Sequence, residues 1–156
     1  MIDFIQNLKE RNETLFYFGL VCLFFSFFFL ILTKVTNTQV FGVNAWYKPF
    51  NFAFSTFTFV WAMSWYCFYL PNFNFTFFNW TMIILLGFEI IYIVIQAGRG
   101  QLSHYNMSNS FYATMYSLMA IASTLVTIYT AYVGYLFFKH TFPTLPNYYV
   151  WAIRLA

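Results

Sequence analysis

Charge is scarce in this chain. Seven Lys and Arg and four Asp and Glu make up 7% of its 156 residues, against about 25% in ordinary soluble domains. That is too little to solvate a globular surface. The formal net charge of +3 is scattered rather than gathered into a patch, which argues against a nucleic-acid partner. Cysteine is equally sparse: Cys22 and Cys67 fall in different apolar runs at different depths, where a thiol behaves as a small apolar residue. Neither a disulfide framework nor a metal site is signalled. The Walker loop, the dinucleotide fingerprint and His-Glu-x-x-His are all missing. His104 and His140 belong to connections on opposite sides of the apolar bundle and cannot share one ion. No cofactor is assigned.

What the chain has in abundance is hydrocarbon. It is 62% hydrophobic, with a mean hydropathy of +0.65 and 24 Phe and 13 Tyr. Lipid-facing filler and interfacial belts account for so many aromatics more simply than a stacking platform does. The fold class is an all-α integral membrane protein: a bundle of four transmembrane helices plus a partial fifth or interfacial helix.

Residues 1–13 form a polar amino-terminal head carrying Asp3, Lys9, Glu10, Arg11 and Glu13. Residues 14–33 contain no charge and match a hydrocarbon core in length. The run lacks a small-x-small cleavage site, so it reads as a retained first span. A polar connection ends in Asn-Ala-Trp-Tyr-Lys-Pro, with Trp46 and Tyr47 at headgroup level and Pro49 suited to a first helical turn. The second span is about 51–70, stopped by Pro71, and its Asn51, Ser55, Thr58 and Ala62 predict a face that another helix can approach. The third is about 80–97. Glu89, Tyr92, Gln96 and Arg99 step along it by three, four and three, so they share one face.

A fourth span, about 111–138, carries Ala113, Ser117, Ala120, Thr124, Thr127, Ala131 and Gly134 in a seven-residue rhythm of small residues, which predicts a helix-packing seam. After a Pro-containing turn, residues 148–156 begin a fifth apolar stretch of nine residues, about 13 Å of helix against a core of roughly 30 Å. The segment 139–156 is thus a turn and an incomplete fifth helix, either interfacial or the start of a longer one. A carboxylate at Ala156 inside a bilayer would be costly, which favours missing carboxy-terminal helices or a partner copy.

Four spans put the connections before the second span and after the third on one membrane face. Lys48, Arg99, Ser103, His104 and Asn106 converge there, with Glu89 about 12 Å below by helical rise. The expected ligand or proton pocket therefore comprises Lys48, Glu89, Gln96, Arg99, Ser103 and His104. Glu89 is its sharpest member, because an ionisable group within the bilayer must be paired, solvated by a cavity or protonated. Lys48 and Arg99 are its expected partners. Arg99 between two glycines could face an anion or close a helix end. Ser103 beside His104 admits a membrane-embedded enzyme using His104 as acid or base, although neighbours in sequence rarely face each other. A third reading is a non-catalytic assembly subunit, such as a homo-oligomer built through the fourth-span stripe.

Three segments carry a resemblance. Residues 44–55 (Asn-Ala-Trp-Tyr-Lys-Pro-Phe-Asn-Phe-Ala-Phe-Ser), 96–106 (Gln-Ala-Gly-Arg-Gly-Gln-Leu-Ser-His-Tyr-Asn) and 149–155 (Tyr-Val-Trp-Ala-Ile-Arg-Leu) resemble the amino-terminal part of a group of uncharacterised multi-pass bacterial membrane proteins. In that group a Trp-x-Lys-Pro segment opens the second span and an Arg-Gly-x-x-Ser-His segment follows the third. Trp46, Lys48, Pro49, Arg99, Gly100, Ser103 and His104 match, while Asn51 stands where the pattern has a second lysine. The resemblance implies a bacterial inner membrane and further helices after the Ile-Arg-Leu segment, and it brings no activity with it. Counting Lys48 and Arg99 as held in the bundle rather than as loop charges, Lys9, Arg11 and Lys139 favour a cytoplasmic amino terminus.

Overall fold

The computed structural model describes residues 2–155, and the expectation for Ala156 lies outside them. Six helices and one small hairpin follow in order: α1 (Ile2–Arg11), α2 (Glu13–Val35), β1 (Gln39–Val40), β2 (Val43–Asn44), α3 (Tyr47–Cys67), α4 (Phe75–Gly98), α5 (Ser110–Lys139) and α6 (Asn147–Leu155). Three of them, α2, α4 and α5, are long and apolar enough to cross a membrane. The fourth long helix, α3, has 21 residues and is less apolar.

Asparagine starts three of the long helices. Asn12, Asn74 and Asn109 each accept a bond from the amide three residues on, at 3.2, 3.0 and 3.0 Å, answering donors that have no intrahelical partner. Asn74 is why α4 begins five residues before the expected 80. The polar head is α1, whose Leu8 is buried while Asp3, Gln6, Asn7, Lys9 and Glu10 face outward. Arg11 ties it down. Its guanidinium lies 3.7, 4.7 and 4.8 Å from the rings of Trp65, Phe68 and Tyr69 and donates to the Trp65 carbonyl at 3.3 Å.

The tightest seam joins α2 and α3. Gly19 lets the Trp61 ring lie directly on the α2 backbone, and a Cβ there would collide with the indole. Trp61 stacks on Phe16 at 5.4 Å and donates its Nε1 hydrogen to the Phe16 carbonyl at 3.3 Å. One core cluster continues through Leu15, Val60, Met63, Phe78, Met82 and Phe137, and a smaller one joins Tyr92 and Ile93 to Met119.

Two sequence expectations are corrected. The seam of α3 is Ala53, Thr56, Val60, Met63, Ser64 and Cys67, whereas Asn51, Ser55 and Thr58 are exposed. On α5, Met119, Ala122, Val133 and Phe137 are buried. Ser117, Ala120, Thr124, Thr127 and Ala131 of the small-residue stripe are exposed, with Ala113 and Gly134 half-buried, so within this chain the stripe is not the packing face. The Ser117, Thr124 and Thr127 hydroxyls bond their own i−4 carbonyls at 3.0, 2.7 and 2.8 Å, so the exposed stripe leaves them satisfied without a partner helix. Among apolar side chains of similar hydropathy, shape rather than periodicity selects the packed face.

At the opposite end of the molecule from α1, the chain reverses in a hairpin. Gln39 pairs with Asn44 and Val40 with Val43. Phe41 and Gly42 both have positive φ, 52° and 76°, the backbone of a type I′ turn. Asn44 donates to the Thr33 and Thr36 carbonyls at 3.1 and 2.7 Å and accepts the Trp46 amide at 3.0 Å. One side chain thereby closes α2 and launches α3.

Candidate functional site

The polar end of α4 is built by a backbone motif. Gly100 adopts a φ of 64°; its amide bonds the Ala97 carbonyl at 3.1 Å and the Gln101 amide bonds the Gln96 carbonyl at 2.9 Å. This is a Schellman closure, in which glycine supplies the left-handed residue. Arg99 is the last residue before it and is exposed, so it closes the helix end rather than facing inward.

The following loop is fastened at one carbonyl. Leu102 O accepts from Gln96 Nε2 at 3.0 Å and from Asn106 Nδ2 at 3.3 Å. Gln96 is fully buried and also reaches the Tyr92 hydroxyl at 3.3 Å, while its Oε1 has no hydrogen-bond partner among the described residues. Gln96 is thus the post that holds the loop over the end of α4.

So held, the loop brings His104 to Lys48, 56 residues earlier in the chain. Lys48 Nζ lies 2.8 Å from His104 Nδ1, and Ser103 Oγ lies 3.1 Å from the same nitrogen. An ammonium can only donate, so Nδ1 is the acceptor and the ring is the neutral tautomer with its hydrogen on Nε2. Partial burial, and then the Lys48 charge, push the imidazole below its ordinary range. Nδ1 is occupied as an acceptor, and among the described residues no carboxylate is hydrogen-bonded to the ring in the place of an acid that would orient a nucleophile's base.

Lys48 and Ser103 open on a cavity of about 440 Å³ between the hairpin, the start of α3 and the end of α4. Its polar wall runs down α3 through Lys48, Asn51 and Ser55; Val40, Val43, Ile93 and Ala97 supply the apolar side. Asn51 and Ser55 were legible as a small polar stripe but read as a packing surface. Gln101, also on the wall, carried no sequence signal beyond its place after the glycine.

Glu89 stands apart from this cavity. It is 2% exposed, and its hydrogen-bond partner is the Ser123 hydroxyl of α5 at 2.6 Å rather than Lys48 or Arg99. Ser123 Oγ also lies 2.9 Å from the Met119 carbonyl. The expected single pocket therefore divides in two: Lys48, Ser103 and His104 at the face with Gln96 beneath the loop, and Glu89 in its own station between α4 and α5. The reason is depth. Ten residues of helix separate Glu89 from Arg99, about 15 Å, more than a side chain spans.

No family model, curated protein or solved structure matches this chain. What the fold establishes is a helical protein with three helices long and apolar enough to cross a membrane.

Proposed function

We propose that this is a multi-pass cell-membrane protein of the bacterial inner membrane, crossing it four times through α2, α3, α4 and α5, and that it binds a small ligand in the cavity beside Lys48. The observation that carries the reading is the cavity itself. Its volume of about 440 Å³ lies within the roughly 300–1,000 Å³ of small-molecule sites, which are typically apolar with a few placed polar groups. The lysine on its wall is fixed by a histidine from a distant loop, a contact that a mere helix end does not require. An amino terminus on the cytoplasmic side fits Lys48 being engaged with His104 instead of serving as a free loop charge. The bilayer is the standing partner.

Blocking the cavity tests the reading. Ser55→Phe puts a large ring into the pocket from an exposed wall position. If small amphiphiles raise the thermal midpoint of the purified protein equally in wild type and Ser55→Phe, binding is elsewhere and the reading fails.

A second reading is favoured by the open stripe of α5, where Ala120 and Thr127 face outward. Small residues permit close approach of another helix, and a second copy could seat there. Leu at both positions would then abolish a cross-linked oligomer; an unchanged cross-link removes that interface.

A further inference from the structure

We infer that the cavity takes an anion-headed amphiphile, a carboxylate or phosphate at Lys48 with an apolar body lying against Ile93 and Ala97. The inference rests on the pocket reading and names its ligand class. Among the described residues, Lys48 is the one charged side chain on the cavity wall and no acidic side chain lines it. Its ammonium carries three donors, of which His104 Nδ1 takes one. The remaining donors can serve an acceptor in the cavity.

The helix beneath Lys48 adds to the same sign. The α3 amino terminus has no side-chain cap and no acidic residue in its first turn. The first intrahelical bond is Phe50 N–H to Trp46 O, Pro49 has no N–H to offer, and Tyr47 and Lys48 both sit on the cavity wall. The positive end of the helix and a lysine therefore meet at one rim. His104 makes the lysine a fixed rather than a mobile charge, since a neutral imidazole acceptor holds the ammonium without cancelling it.

Below the rim, Asn51 and Ser55 continue the Lys48 face at spacings of three and four, descending about 10 Å into the apolar layer. Opposite them the wall is hydrocarbon: Ile93 and Ala97 from α4 and Val40 and Val43 from the hairpin. A ligand with charge at one end and an alkyl body meets both surfaces at once, whereas a bare inorganic anion would leave the apolar wall unused.

The head could belong to a free amphiphile or to a membrane lipid, and the two sources separate experimentally. The full chain in nanodiscs of zwitterionic lipid is titrated with sodium octanoate, octyl phosphate, inorganic phosphate and octanol, and its thermal midpoint is followed. Octanoate or octyl phosphate should raise the midpoint and octanol and inorganic phosphate should not. Lys48→Gln should weaken the apparent Kd about ten- to a hundredfold, as for loss of a hydrogen bond to a charged group, and Lys48→Arg should restore most of it. If the natural head is a lipid's, nanodiscs containing phosphatidylglycerol will stabilise wild type but not Lys48→Gln without any additive, and octanoate will then add nothing; if it is a free amphiphile, octanoate will stabilise wild type in both discs.

Equal stabilisation by octanol and octanoate, or a Lys48→Gln response equal to wild type, overturns the anionic ligand while leaving the pocket. Stabilisation by none of the four compounds and no effect of phosphatidylglycerol overturns both. Should Lys48→Gln fail to fold, Lys48→Arg beside the octanol comparison still decides the question.

Discussion

Asn12 and Asn79, 67 residues apart, hold each other through two amide hydrogen bonds of 2.8 Å, each donating to the other's carbonyl oxygen. Both are buried, and Asn12 also caps α2 through the Leu15 amide. Asn79→Ala strands the Asn12 amide in an apolar interior and should cost about 1–3 kcal/mol in equilibrium unfolding. Asn12→Ala should cost about 1 kcal/mol more, for the lost cap. Equal losses from the two variants would show that the cap contributes nothing.

Gly19 admits the Trp61 ring against the α2 backbone. Because an added Cβ meets the indole of Trp61, Gly19→Ala should destabilise by about 1–3 kcal/mol through overpacking. Trp61→Phe, which shortens the ring, should relieve part of that in the double variant. An additive pair in thermal unfolding rules out the contact as the cause.

The His104 imidazole, held low by burial and by the Lys48 charge, links stability to pH. The groups facing it are Lys48 of α3, the neighbouring Ser103 and the ring of Tyr116 on α5, 6.4 Å away. Above about pH 6.5, the ordinary histidine value, the imidazole is neutral in folded and unfolded chains and its contribution is complete. As pH falls below that value the unfolded chain takes up the proton first, and stability is lost until the lower folded value is reached. His104→Gln should flatten this slope. A slope between pH 7 and 5 that is identical in the variant assigns it to another group.

Ser123 has one hydroxyl hydrogen and two oxygens within reach, Glu89 Oε1 at 2.6 Å and Met119 O at 2.9 Å. The Ser123 hydroxyl donates to Glu89 Oε1, the shorter of the two contacts. A glutamine Oε1 can accept that hydrogen as well. Glu89→Gln should therefore unfold within about 0.5 kcal/mol of wild type, while Glu89→Ala should lose about 1–3 kcal/mol. Proton flux in vesicles, compared between wild type and Glu89→Gln, then separates a transport role from a packing one, since packing is preserved.

Arg154 closes the far end of α5. It donates to the Phe137 carbonyl at 2.9 Å and to the His140 carbonyl at 3.4 Å, with its guanidinium 5.2 Å from the Trp151 ring. Those carbonyls belong to a helix end without further intrahelical donors. In Arg154→Met, amide hydrogen exchange in the last turn of α5 should quicken about tenfold, as for loss of about 1.5 kcal/mol at a charged hydrogen bond. Unchanged exchange there would falsify the capping role.

Much of the architecture can be read from the residues alone, for a physical reason. A bilayer demands long uncharged helices, so α2, α4 and α5 announce themselves by composition. Gly100 announces the end of α4 by its freedom at positive φ. Sidedness follows from counting passes, which is why Lys48, Ser103 and His104 were expected at one face. Helix starts were harder: Asn74 lay hidden in a run of Phe and Asn, and the β-hairpin turn has Phe41 at a position where Asn or Asp is usual.

What the sequence by itself determined was depth, face and composition, because these follow from helical rise, from periodicity and from the intolerance of hydrocarbon for charge. The tertiary structure alone decided the neighbours. It set Glu89 against Ser123, Lys48 against His104, Asn12 against Asn79 and Arg154 against the end of α5, and it turned the small-residue stripe of α5 outward. Within an apolar layer, every face of a helix resembles the lipid around it, so hydropathy cannot choose which one packs; side-chain shape and a few paired polar groups make that choice.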